Sequence, residues 1–139
     1  MVSNLFSQTP AARDMGYCTV DVLRKRVTFA QNGTTVVVGV IPARALVIGG
    51  GIFTTTAFNG TTPLASVGHI EGASTVAASY GTALAPTALG YLALDELAAV
   101  TNTRPAIERT ITVAVTAAGG TVGELEVIVL FVNDHEGNR

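Results

Sequence analysis

The chain has 139 residues, 48% hydrophobic and only 13% charged, with 15 glycines, one cysteine and a net charge of −2. A chain of this length buries roughly two-thirds of its unfolded surface, and high hydrophobicity with few charges excludes a disordered protein. Cys18 alone excludes an internal disulfide and a cysteine-rich metal site, and the near-neutral charge excludes a global field drawing the chain to nucleic acid.

Residues 1–18 mix Ser, Asn, Gln, Thr, Pro10 and Gly16 without a period and read as an extended N-terminal arm. Met1 to Gly16 carries no apolar run of the signal-peptide kind. Residues 19–139 read as a single β-sandwich domain. Its first strand runs from Thr19 to Ala30, with Leu23, Lys25, Val27 and Phe29 on one parity and Arg24, Arg26 and Thr28 on the other. Asn32-Gly33 predicts a tight hairpin turn, and it doubles as a glycosylation-type sequon with Thr34. Thr34 to Ile41 is β-branched at nearly every position, which favours a pleated strand, and Pro42 stops it.

Ala45 to Phe58 predicts one long strand bent or bulged at Gly49-Gly50-Gly51. The longest apolar-plus-Gly run, Ala45 to Phe53, is far short of the ~20 residues of a membrane helix, so no membrane partner is expected. Asn59-Gly60 predicts another turn, and Leu64 to Ile70 a short strand. The Ala-, Ser- and Gly-rich stretch 71–100 is poorly legible, with a strand around Tyr91 and a helical turn near Asp95 to Val100 as its readings. Arg109 to Thr116 alternates Ile111, Val113 and Val115 with outward Thr, and Glu124 to Val132 places Leu125, Val127, Val129 and Phe131 on one face. Ala118 to Thr121 reads as the turn of a closing hairpin. The other face of the last strand becomes apolar at Ile128, Leu130 and Val132, which predicts a cover on both sides there. Seven or so strands with frequent turns and no long helical period give an all-β, antiparallel β-sandwich.

No catalytic constellation emerges. His69 and Glu71 form a His-x-Glu pair, but the Pro-Cys-x-x-Cys partner of zinc deaminases is absent, and a structural role for His69 is the expectation. His135 lies in a polar tail. No Gly-x-Ser-x-Gly elbow exists, and Gly49-Gly50-Gly51 runs into a strand where a phosphate loop needs a helix. Arg24-Lys25-Arg26 is split over two strand faces, a poor phosphate stripe. The chain reads as a structural or interaction protein, not an enzyme, with no catalytic, metal or cofactor residues. Residues 1–44 carry +3 and residues 45–139 carry −5, which suits contact between copies or with a partner.

The block Val36-Val37-Val38-Gly39-Val40-Ile41-Pro42-Ala43-Arg44-Ala45-Leu46-Val47-Ile48-Gly49-Gly50-Gly51, continuing through Ile52 to Gly60, resembles the capsid decoration (cement) proteins of tailed bacteriophages. The closing segment Arg109 to Val132 is similar to the last two strands of that group. The resemblance implies a jelly-roll-like β-sandwich on the outer surface of the virion capsid, made in the host cytoplasm. It implies a homotrimer that binds the major capsid protein and stabilises the head by bridging its subunits. It transfers no active residue and no cofactor. Arg13, Arg24, Lys25, Arg26 and Arg44 are the candidates for capsid contact, on the strength of the charge split. The alternatives are a carbohydrate-binding β-sandwich of a head fibre, tail or adhesin, with Tyr80 and Tyr91 exposed and close together, and a small enzyme with a pocket holding His69 and Glu71.

Overall fold

A computed structural model describes residues 20–98 and 102–133 of the chain. Eight strands form: β1 Asp21–Thr28, β2 Thr35–Ile41, β3 Leu46–Thr56, β4 Thr61–Glu71, β5 Ser74–Leu84, β6 Gly90–Ala93, β7 Arg109–Ala118 and β8 Glu124–Val132. They lie in two four-stranded sheets. Sheet A has the order β1-β8-β3-β6 and sheet B the order β2-β7-β4-β5, with antiparallel pairing throughout. The chain changes sheet at every connection except β4–β5, and β1 at one end of the sequence pairs with β8 at the other. That is the topology of an eight-stranded jelly roll. The β-sandwich expected from strand spacing is therefore observed.

The inward parity of each strand supplies the core. Val27 from β1, Val47 and Ile52 from β3, Val67 from β4, Ile111, Val113 and Val115 from β7, and Leu125, Val127 and Val129 from β8 are all buried. The alternation read in β7 and β8 thus assigns the core face correctly, because period-2 alternation places successive side chains on opposite faces. One outward threonine departs from it. Thr112 is buried on the outer face of sheet B beside Gly68, its register partner. A Cβ at Gly68 would lie 2.1 Å from the Val76 carbonyl oxygen, so the backbone of the bulged β5 folds over this spot.

The predicted long third strand is observed, with register shifts between Val47 and Gly49 and between Thr54 and Thr56. Its glycines have a steric reason. Gly50 has φ 116°, and a Cβ there would sit 2.1 Å from the Ile128 carbonyl oxygen. A Cβ at Gly51 would sit 2.1 Å from the Leu92 carbonyl oxygen on the other side. Only side-chain-free residues let β8 and β6 close on β3 from both flanks.

Three expectations change. Asn32-Gly33, Asn59-Gly60 and the 119–123 connection are not hairpin turns, since the strands each one joins lie in opposite sheets. β1 ends in a short 3-10 turn, Phe29–Gln31, before the chain crosses to sheet B. The asparagines tie loops together: the Asn32 side chain donates to the Ala117 carbonyl (2.8 Å) and accepts from the Ala117 amide (2.7 Å). Asn59 Oδ1 accepts from the amides of Thr121 (2.8 Å) and Val122 (3.0 Å). Turn residues specify a local backbone reversal, whereas burial of two apolar faces against each other decides which sheet the next strand joins. The poorly legible stretch contains β5, an eleven-residue strand, as well as the expected β6. Residues 95–98 are not helical, Asp95 instead accepting the Thr82 amide at 2.8 Å, and residues 99 and 100 of the expected helical turn lie outside the described residues. The arm 1–18, Cys18 and His135 lie outside the described residues.

Candidate interaction surface

Sheet A carries most of the ionised strand residues. On its outer face Arg24 pairs with Glu126 and Arg26 with Glu124, across the β1–β8 ladder. Glu124 also accepts from the Thr55 hydroxyl at 3.0 Å. The hydrogen bond from Arg26 holds the Glu124 carboxyl below its ordinary range, and that from Arg24 does the same for Glu126. Both pairs are water-exposed, where solvent screening leaves an ion pair little net stabilising effect. Lys25, on the opposite parity, is exposed and has no partner among the described residues. Arg44 lies in the β2–β3 loop with φ 67°, its amide donating to the Pro105 carbonyl at 2.7 Å and its carbonyl accepting from Arg104 Nη1 at 2.7 Å. Arg13 lies outside the described residues. The structure therefore gathers Arg24, Lys25 and Arg26 on one edge strand and keeps Arg44 apart, at the end of the sandwich where β1 begins.

The rest of that face is apolar. Val22 and Ile48 are exposed near one end, beside half-buried Ile128, Leu130 and Val132 of β8. The second cover expected over the end of β8 is not supplied by any described residue. Phe53 and Tyr91 stand opposite each other in the β3–β6 register, both exposed.

Sheet B is different in kind. Its four strands contain only two ionised side chains, Glu71 and Arg109, at one end. These belong to a buried polar cluster. Arg109 Nε donates to Glu71 Oε1 at 3.1 Å, and its Nη1 donates to the Tyr80 hydroxyl at 3.0 Å. Burial works against the Arg109 charge, but its bonds to Tyr80 and Glu71 outweigh that and raise its pKa. His69 Nδ1 shares a 2.6 Å hydrogen bond with the Ser79 hydroxyl, and its ring lies tilted on Tyr80 at 5.7 Å. Burial first, and then the Arg109 charge, hold the imidazole below its ordinary pKa, with Glu71 opposing. His69 and Glu71 had a sequence signal; Ser79 and Tyr80 had none for this cluster, because β5 was not legible as a strand, and Arg109 was legible only as the first residue of the β7 strand.

The cluster is packed rather than open. Tyr80 is only 1% exposed and sits in the other sheet from exposed Tyr91, so these two tyrosines are not presented together to solvent. The described residues enclose no pocket and contain no group of three His, Cys, Asp or Glu side chains placed to hold a metal ion.

No protein-family profile and no curated protein sequence matches the chain. Solved structures do resemble it. A chain from the capsid of Ralstonia phage GP4 aligns with a TM-score of 0.66 at 18% identity, over 85% of this chain and 86% of that one. A chain of the cyanophage Pam1 capsid asymmetric unit aligns at 0.58 and 19% identity, over 84% and 86%. A chain of the acid-stable capsid of Helicobacter pylori bacteriophage KHP30 aligns at 0.56 and 16% identity, over 84% and 89%. At these identities the likeness is one of fold, and it spans nearly the whole of each chain.

Proposed function

We propose that the chain is a virion structural protein of a phage, a decoration or cement protein that binds the outer surface of the head and bridges neighbouring major capsid subunits. The observation that carries this reading is the eight-stranded jelly roll shared, over more than four-fifths of each chain, with chains of three phage capsids. Two further features support it. The strands of one sheet are almost free of ionised groups, and the outer face of the other joins apolar side chains to a row of ion pairs. Interface centres are depleted of charge in this way.

The physics of cementing suits such a molecule. A packed head pushes its subunits apart, and a clip spanning two of them opposes the separation. Each contact needs only about 800 Å² per partner, and a trimer engaging several subunits multiplies modest contacts through effective concentration. Arg13, Arg24, Lys25, Arg26 and Arg44 are proposed to meet acidic capsid groups. Lys25 offers a charge without a partner among the described residues, whereas Arg24 and Arg26 exchange their own glutamates for those of the shell.

The test adds purified chain to expanded shells that lack it. The expected result is a trimer by light scattering that co-sediments with the shells, raises their melting temperature and appears on their outer surface in cryo-electron microscopy. A monodisperse monomer without affinity for shells overturns the reading.

A further inference from the structure

Four strand edges border the sandwich, and three of them are blunted. β1 carries Arg24, Lys25 and Arg26 in succession. β6 is four residues long. The β5 edge is occupied by its own chain, since the Glu96 amide donates to the Tyr80 carbonyl at 3.1 Å and Asp95 takes the Thr82 amide. Long open edges invite another strand, and charge, shortness and covering are the usual ways of preventing it.

Among the described residues β2 has none of these protections. Its seven residues, Thr-Val-Val-Val-Gly-Val-Ile, include no charge and no proline, and among the described residues it pairs with β7 alone. The register shift between Val37 and Gly39 bends the edge without placing a charge on it. Val37 and Val40 are 51% and 48% exposed on the outer face that β2 shares with β7. β1 closes the same side wall: a Cβ at Gly39 would lie 2.8 Å from Leu23 Cδ2. Lys25 follows Leu23 on the same parity, exposed and unpaired among the described residues.

We propose that the open edge of β2 is a strand acceptor: an extended segment of a capsid subunit adds beside it and extends sheet B. This rests on the decoration reading above and names the atoms of its grip. The amides and carbonyls of β2 that find no partner among the described residues call for a peptide backbone in β conformation, which supplies affinity through main-chain hydrogen bonds. Val37 and Val40 require uncharged side chains next to them. Lys25 requires a carboxylate within reach, so the segment is apolar or hydroxyl-bearing with one acidic residue. A second copy of this chain fits less well. Its own open edge is another β2, and pairing the two would bring the two Lys25 charges to one seam.

The test uses Val37→Lys, Val40→Lys and Lys25→Glu in the full chain, with Leu89→Lys in the β5–β6 loop, 70% exposed and away from both sheet faces, as control. All four side chains are exposed, so the variants fold, which circular dichroism and the melting temperature verify. The expected result is that each of the first three weakens binding to expanded shells by about tenfold or more while Leu89→Lys leaves it unchanged. Hydrogen exchange at Thr35–Ile41 slows on shell binding. If wild-type chain binds shells and the β2 variants bind equally well, or the β2 amides stay unprotected, the edge assignment is overturned while the decoration reading stands. If the variants instead lower the mass of the isolated oligomer, a second copy covers the edge and the shell segment is excluded. If wild-type chain does not bind shells, the decoration reading fails and the shell segment with it.

Discussion

At single residues, the interior holds two kinds of constraint with opposite consequences. Thr54 is 1% exposed, yet its hydroxyl finds no hydrogen-bond partner among the described residues. An unsatisfied buried hydroxyl costs free energy that an isosteric methyl does not. Thr54→Val is therefore expected to stabilise the fold by about 1 kcal/mol, read from the denaturant midpoint at unchanged slope. Gly50 is constrained the other way. Gly50→Ala forces a Cβ against the β8 backbone at a φ that L-residues avoid, and neither strand can move without breaking the ladder. A loss of at least about 3 kcal/mol is expected, seen as a lowered melting temperature or a chain that does not fold. Triple glycine was readable in the sequence as a bulge. That the glycines are needed because β8 and β6 close from both flanks was not, since both partners lie far along the chain.

At the scale of elements, the β4–β5 hairpin and the start of β7 share the His69 cluster. His69 stays neutral in the fold because burial and Arg109 disfavour its charge, so its folded pKa lies below the ordinary 6.5. The unfolded chain then binds the extra proton first. Stability is full above about pH 6.5 and falls as the pH drops through that value towards the lowered folded pKa. The Arg26 and Arg24 hydrogen bonds hold the carboxyls of Glu124 and Glu126 below the ordinary 4.5, so they do not contribute between about pH 7.5 and about pH 5.5. Denaturant midpoints at about pH 7.5 and about pH 5.5 should differ in the wild type, and the difference should shrink in His69→Gln. An equal drop in both proteins would show that another group titrates. The strands flanking this cluster were unequally legible. β4 was seen only as Leu64 to Ile70, and β5 was missed, because its shifted register replaces period-2 alternation with buried Ser79 and Tyr80 side by side.

At the scale of the whole molecule, β8 is the keystone. It is the last strand, yet it lies between β1 and β3 and so holds the first strand to the rest of sheet A. A chain ending at residue 123 loses the inner partner of both and exposes Val27 and Ile52 to water. Such a truncation is expected to show no cooperative thermal transition. Most of the sheet pairing is long in sequence, so refolding of the full chain should be slow, in milliseconds to seconds rather than microseconds, as stopped-flow measurement would show. The amino-acid sequence by itself determined the all-β class, the inward faces of β7 and β8, the long glycine-bent third strand and the scarcity of charge. Those properties reside in side-chain period and composition, which act locally. Only the tertiary structure decided the strand order, the conversion of expected hairpins into crossings between sheets, the union of His69 with Ser79, Tyr80 and Arg109, and the place of β2 as the edge left uncovered among the described residues. Each of these depends on which distant faces exclude water together, and no local pattern carries that information.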